Sequence, residues 1–271
     1  MTDHTLSAVE ARDAWVEHPL GKLFARVWTP TDTPASSDRA PIVLFHDSLG
    51  CVDLWRDFPG ALSLATGREV IAYDRLGFGK SDPRGDMPAV DFVADEARRW
   101  FPAVRERFGL SRYIAFGHSV GGGMAVNCAA AEPDACVALI TESAQAFPEE
   151  RTLHSIAVAK EQFRDDSQRQ RLVKYHGDKA EWVLHAWTDS WLDPAFHSWS
   201  LAPVLPKVRC PVLAIHGEYD EYGSSIHPEM ITGLCGGVSQ MELLADTHHV
   251  PHRERDGEVL ALVSRFLASS P

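Results

Sequence analysis

The residues best equipped for chemistry lie in Gly117-His118-Ser119-Val120-Gly121, extended by Gly122 and Gly123. A serine nucleophile must be raised out of a sheet on a sharp turn. Glycines beside it make room for that backbone, and the helix after it turns its N-terminal N–H groups toward a developing oxyanion. A free hydroxyl is a poor nucleophile near neutral pH, so it needs a base, and the base needs an orienting group. On such a sheet the expected chain order is serine, acid, histidine. Asp220, within His216-Gly217-Glu218-Tyr219-Asp220, and His249 follow Ser119 in that order, each shortly after a short apolar run. Glu142, Glu218 and Asp246 are rival acids, and His248 is a rival base. The chemistry these types suggest is acyl transfer through a serine ester.

Short apolar runs alternating with helical patterns must position these groups. Ile42–Phe45, Val70–Tyr73, Tyr113–Phe116, Val137–Ile140, Val212–Ile215 and Met241–Leu244 read as strands. Between and after them, Trp55–Ala65, Val90–Phe108 (with a turn near Pro102), Val120–Ala131 and Glu254–Leu267 read as helices. Strands without polar alternation are expected to be buried on both faces, in a parallel sheet covered by helices. An N-terminal hairpin, Ala14–Val16 and Leu23–Trp28 around His18-Pro19-Leu20-Gly21, makes the sheet mixed. Pro30–Pro41 reads as a polar surface loop. The fold class is therefore α/β, with a mostly parallel central sheet flanked by helices. Ligands in such sheets bind beyond the carboxyl ends of the strands, where Ser119, Asp220 and His249 all fall.

From Gln145 to Arg209 the strand pattern stops and a polar helical segment with four tryptophans replaces it. Trp182, Ala186, Trp187 and Trp191 recur near helical spacing. The segment is expected to be a helical lid (145–209) inserted into a core made of residues 1–144 and 210–271. The alternative is a helical layer without a ligand role.

Composition narrows the function classes. The 271 residues are 45% apolar, ordinary for a globular chain with a substantial core, and carry a formal charge of −12. A negative surface disfavours a nucleic-acid partner, because phosphate binding needs a positive field. Met1–Asp13 has neither a basic nor an apolar signal-like region, and no apolar run approaches membrane-span length. The five cysteines are scattered without metal-ligand spacing and most read as small buried hydrophobes, which fits a reduced, cytoplasmic setting. No metal, organic cofactor or membrane partner is expected. A homodimer is compatible with the sequence, which does not set oligomeric state.

With several motifs in one order, the chain resembles the α/β-hydrolase fold family, in its lid-bearing branch. The resemblance rests on Phe45–Gly50 (FHDSLG), Tyr73–Asp82 (YDRLGFGKSD), Gly117–Gly122 (GHSVGG), His216–Asp220 (HGEYD) and His248–Glu254 (HHVPHRE). It covers nearly the whole chain outside the insertion and implies the triad Ser119, Asp220 and His249. In relatives the base is followed by two residues and often a second His, with Glu soon after, a register that His249-Val250-Pro251-His252-Arg253-Glu254 fits. His248 stands where a Gly is usual, His252 is expected to be structural, and His118 to pack the turn. Some relatives carry the acid at the position of Glu142.

The resemblance also implies an oxyanion hole made by the backbone N–H groups of Val120 and Ser48. Relatives usually have His-Gly before the second donor, whereas this chain has His46-Asp47. Asp47 is expected to point away and trim the loop; the sharper alternative has it shape specificity or cap a helix. Asp74–Ser81 is expected to be structural, because it lacks the leading glycines of a phosphate loop.

The implied activity is a serine hydrolase, a carboxylesterase cleaving a small or medium acyl ester through an acyl-enzyme. A C–C bond hydrolase or another specialised reaction on the same triad is the alternative, and a non-catalytic small-molecule receptor is the alternative of another class.

Overall fold

The computed structural model describes residues 8–31 and 39–269. The middle of the polar Pro30–Pro41 stretch, expected to be a surface loop, lies outside the described residues. Eight strands form one sheet in the order β1-β2-β4-β3-β5-β6-β7-β8. They are β1 (Val9–Val16), β2 (Leu23–Pro30), β3 (Ile42–Phe45), β4 (Val70–Tyr73), β5 (Tyr113–His118), β6 (Cys136–Glu142), β7 (Val212–Gly217) and β8 (Ser239–Leu244). The hairpin β1–β2 is antiparallel and β2 joins β4 antiparallel, while β4, β3, β5, β6, β7 and β8 run parallel.

Strands of this kind lack polar alternation because both faces are covered. On one face, Ile42, Leu44, Ile114, Phe116, Leu213 and Ile215 pack with Phe58, Leu62, Val259 and Val263, from helices α1 (Phe58–Thr66) and α10 (Asp256–Ser269). On the other, Val43, Phe45, Tyr113, Ala115, Val212 and Ala214 meet α3 (Phe101–Phe108) and α4 (Val120–Ala131). Period-two alternation thus sorts one apolar set into two layers. The edge strand β8 departs from the expected double burial: Leu243 is 46% exposed, because β8 has a sheet neighbour only in β7.

The segment expected to turn near Pro102 stays helical through it. α2 (Phe92–Asp95) runs into a π-helical turn, Glu96–Trp100, and then into α3. Proline has no N–H to donate and its ring crowds the carbonyl four residues back. The wider turn absorbs this: the Phe101 N–H reaches the Glu96 carbonyl, five residues back, and Pro102 falls in the first turn of α3. The helix α8 (Ile226–Leu234), between β7 and β8, is not among the expected helices, and the last expected helix is divided into α9 (Pro251–Glu254) and α10.

Residues 145–209 contain no strand. Their helices α5 (Glu150–Gln162), α6 (Asp166–His176) and α7 (Ala180–Leu192) pack on one another. Polar contacts tie them to the loops beyond the strand ends: Thr152 Oγ1 donates to the Tyr222 carbonyl, and Ser155 Oγ donates to that of Glu221. His176 accepts from the Gly79 N–H at Nδ1 and donates from Nε2 to the Leu49 carbonyl at 3.0 Å, which fixes its tautomer. The loop at 74–81 has the structural part expected of it, since Asp74 accepts the N–H groups of Val52 and Lys80. All five cysteines are free, four of them buried. Among the described residues no helix is long and apolar enough to cross a membrane.

Phe116 is fully buried at the centre of β5, with the rings of Phe58 and Trp55 at 5.7 and 6.2 Å. Phe116→Ala is expected to lower stability by about 3–5 kcal/mol through lost burial and the cavity left behind. The check is a fall in urea midpoint at unchanged slope, against Leu243→Ala on the exposed edge, which is expected to cost under about 1 kcal/mol.

Candidate active site

Ser119 stands between β5 and α4 at φ 56° and ψ −127°, in the left-handed half of φ space. A non-glycine residue held there costs about 1–3 kcal/mol, so its surroundings must impose the conformation. Its N–H donates to the Glu142 carbonyl at the end of β6, and its carbonyl accepts from the Gly122 N–H. Helix and sheet approach too closely for side chains: a Cβ on Gly121 would lie 2.2 Å from the Phe45 carbonyl oxygen, and one on Gly117 would lie 2.1 Å from that of Gly121. The strained turn is therefore clamped between β3, β6 and the first turn of α4.

The three side chains named from the sequence converge. His249 Nε2 is 3.0 Å from Ser119 Oγ, and its Nδ1 is 2.8 and 2.9 Å from the two oxygens of Asp220. A carboxylate only accepts, so Nδ1 carries the hydrogen and Nε2 presents its lone pair to the serine hydroxyl. Asp220 is buried, and burial opposes its charge; the neighbouring His249 outweighs it and holds the carboxyl at about 2. The Tyr222 N–H also donates to Asp220 Oδ1, and the Tyr222 ring lies 4.8 Å from that of His249.

The rivals fall elsewhere. Glu142 pairs with His252 at 2.6 Å, not with His249. His248 is turned outward onto Glu254. Glu218 reaches the Asp246 N–H, and both are exposed.

Ser119 opens into a cleft of about 160 Å³ lined by Leu49, Ile156, Trp187, Trp191 and Val250, with Gln145 and Thr152 as polar members. Trp187, Trp191 and Ser48 also border an adjoining crevice of only about 30 Å³ that reaches Arg75, Glu96 and Trp100. Gln145, which sequence reasoning missed, has its Oε1 3.3 Å from Ser119 Oγ. A lone glutamine past a strand end carries no spacing signal that could have marked it.

Ser48 lies on the cleft wall, and Val120 opens α4, where the first N–H groups have no intrahelical acceptor. Asp47 differs from the expectation that it points away. Its Oδ1 accepts the Leu49 N–H, while Oδ2 lies 3.3 Å from Nδ1 of His118 and the side chain borders the cleft. The tight turn Asp47–Gly50 directs the carboxylate inward, toward an imidazole that offsets its burial. Arg75 holds the same turn from outside by donating to the Asp47 carbonyl.

Because the Asp220 carboxyl is depressed, its contribution to stability is present above the ordinary carboxylate range and is lost as pH falls through about 2. The depression corresponds to roughly 2 kcal/mol. Asp220→Asn is expected to show its full stability deficit near neutral pH and a shrinking one toward pH ~2, read as urea midpoints of both proteins across that range.

Residues 40–177 match the family model described as alpha/beta hydrolase fold. A lipase from Bos taurus, (lyso)-N-acylphosphatidylethanolamine lipase, is 35% identical over 127 residues, 45% of this chain and 35% of that protein. The chain thus matches about a third of the length of such relatives. The carboxylesterase CesB from Bacillus subtilis superposes with a TM-score of 0.71 at 20% identity, covering 98% of this chain and 95% of that one. The 2-hydroxy-6-oxo-6-phenylhexa-2,4-dienoate hydrolase of Rhodococcus sp. strain RHA1 superposes with a TM-score of 0.78 at 15% identity, covering 96% and 100%. With half of its length matched by the family model and this sheet order beneath it, the chain belongs to the alpha/beta hydrolase fold family.

Proposed function

We propose that the protein is a serine hydrolase that cleaves a carboxylic ester with a small or medium acyl group, using Ser119 as nucleophile, His249 as base and Asp220 as its orienting acid. The reading rests on one observation above all, the continuous chain of contacts from Asp220 through His249 to Ser119 Oγ at the floor of a cleft. His249 Nε2 takes the hydroxyl proton as Oγ attacks the substrate carbonyl carbon, and Asp220 stabilises the imidazolium that forms. The N–H groups of Val120 and Ser48 receive the oxyanion, each donor contributing about 3–4 kcal/mol. Collapse expels the alcohol, which takes the proton from His249. Water then attacks the acyl-enzyme, giving its proton to His249, and the acid leaves as Ser119 regains its hydrogen.

Helices α5 and α7 act in this reading as a lid. Ile156, Trp187 and Trp191 form the apolar wall against which the acyl chain lies, and the cleft's volume favours a short to medium chain. The lipase and esterase among the chain's relatives and fold neighbours support ester chemistry without naming the substrate.

Hydrolysis of p-nitrophenyl esters from acetate to laurate tests the proposal. Turnover is expected to fall off for the longest chains, and Ser119→Ala is expected to lose at least about 10⁴-fold in kcat. A fluorophosphonate is expected to label the wild type and not the variant. Near-normal turnover by Ser119→Ala, or a folded wild type that neither turns over any ester nor takes the label, would sink it.

A further inference from the structure

Behind the nucleophile lies a group of buried ionisable side chains to which the proposed chemistry assigns no part. His118, Glu142 and His252 are 1%, 0% and 3% exposed, and Asp47 borders them from the cleft side. His252 Nδ1 is 2.6 Å from Glu142 Oε2, and the ring of His252 stands edge-on to that of His118 at 5.0 Å. One ligating atom from each of His118, Glu142 and His252 lies within 4.8 Å of the others. On its other side, His118 places Nε2 2.8 Å from the main-chain carbonyl of His249, with the two rings 5.1 Å apart.

A carbonyl only accepts, so Nε2 of His118 carries a hydrogen. Nδ1 of the same ring then faces Asp47 Oδ2 at 3.3 Å, and without a proton it would set a lone pair against a carboxylate. Glu142 Oε1 and His118 Nδ1 are both buried without a hydrogen-bond partner among the described residues, so Asp47 meets Nδ1 as an ion-pair contact and not as a hydrogen bond. Glu142 is fully buried while the Asp47 side chain is 27% exposed on the cleft side, and two carboxylates this close to one buried ring favour positive charge on it.

We infer that His118 is a positioning residue, an imidazolium held between Asp47 and Glu142 whose Nε2–H grips the backbone of His249 and so ties the oxyanion loop to the base loop beneath Ser119. The groups facing it are Asp47 from the loop after β3, Glu142 from β6, and His249 and His252 from the segment after β8, with the uncharged Trp55 ring at 6.2 Å. Burial disfavours the charge on His118, but Asp47 and Glu142 outweigh it and raise its basicity. Asp47 is likewise held well below the usual carboxylate range, burial being overcome by His118. His118, His252 and the single carboxylate of Glu142 could also make a divalent-cation ligand set. The direct contact of Glu142 with His252 instead closes that side of the cluster with a proton.

The consequence for activity rests on His249 being the base, whereas the protonation of His118 does not. The first test is therefore nitrogen-15 NMR of the histidine rings in the metal-free wild type from pH ~5.5 to ~8.5, a window that spans the ordinary histidine range. Both ring nitrogens of His118 are expected to stay protonated throughout, and Asp47→Asn is expected to bring its deprotonation into the window. Kinetics on a p-nitrophenyl ester add the second readout. His118→Gln, whose amide nitrogen can reach the Nε2 position, is expected to keep kcat within about threefold, while His118→Asn loses about tenfold or more in kcat at nearly constant KM. A neutral His118 in the wild type, equal losses in the two amide variants, or one equivalent of tightly bound metal that His118→Gln releases would each overturn the inference. Loss of all ester turnover in the wild type would count against the hydrolase reading alone and leave the NMR answer standing.

Discussion

Everything at this site depends on how closely α4 approaches the sheet. Ser119 occupies a costly backbone conformation because β5 ends where α4 must begin, and the Phe45 carbonyl lies against Gly121 with no room for a Cβ. The close approach turns the N-terminus of α4 toward the cleft and raises the serine side chain to meet His249. Any residue larger than glycine at Gly117 or Gly121 would push helix and strand apart. The strain at one residue is thus held by packing spread over three strands and a helix.

A second constraint is the burial of charge around that turn. Asp220, Asp47 and Glu142 are all removed from bulk water to differing degrees, and each is matched by an imidazole: His249, His118 and His252 respectively. Pairing each carboxylate with a histidine keeps it ionised where burial alone would protonate it. It also gives each histidine a defined orientation. The three pairs surround Ser119 from the carboxyl ends of β5 and β6 and from the loops that follow β3, β7 and β8, so the same parallel topology that brings the strand ends together brings the charges together.

The helical segment between β6 and β7 obeys a different logic. Its tryptophans do not form one stripe: Trp187 and Trp191 are buried along the cleft, while Trp182 packs against Phe78 and reaches the Asp86 carbonyl. The segment is attached to the core through main-chain acceptors at Leu49, Gly79, Ser81, Glu221 and Tyr222, all in loops beyond the strand ends. Side chain-to-backbone anchoring of this kind fixes where the helices lie with little demand on the identity of the loop residues.

The sequence by itself determined the fold class and most of the elements, because buried strands and their covering helices write their periods directly into apolar spacing. It also marked Ser119, whose flanking glycines answer a local steric need, and it limited the acid and the base to a few loop residues in a definite order. Tertiary structure alone decided which of them meet. Glu142 ends β6 and Asp220 follows β7, yet only Asp220 reaches His249, because Glu142 turns instead toward His252. The inward turn of Asp47, the place of Gln145 beside the nucleophile and the exposure of β8 were likewise illegible. Each depends on what a neighbour distant in the chain presents across a few ångströms, and a single sequence carries no record of those distances.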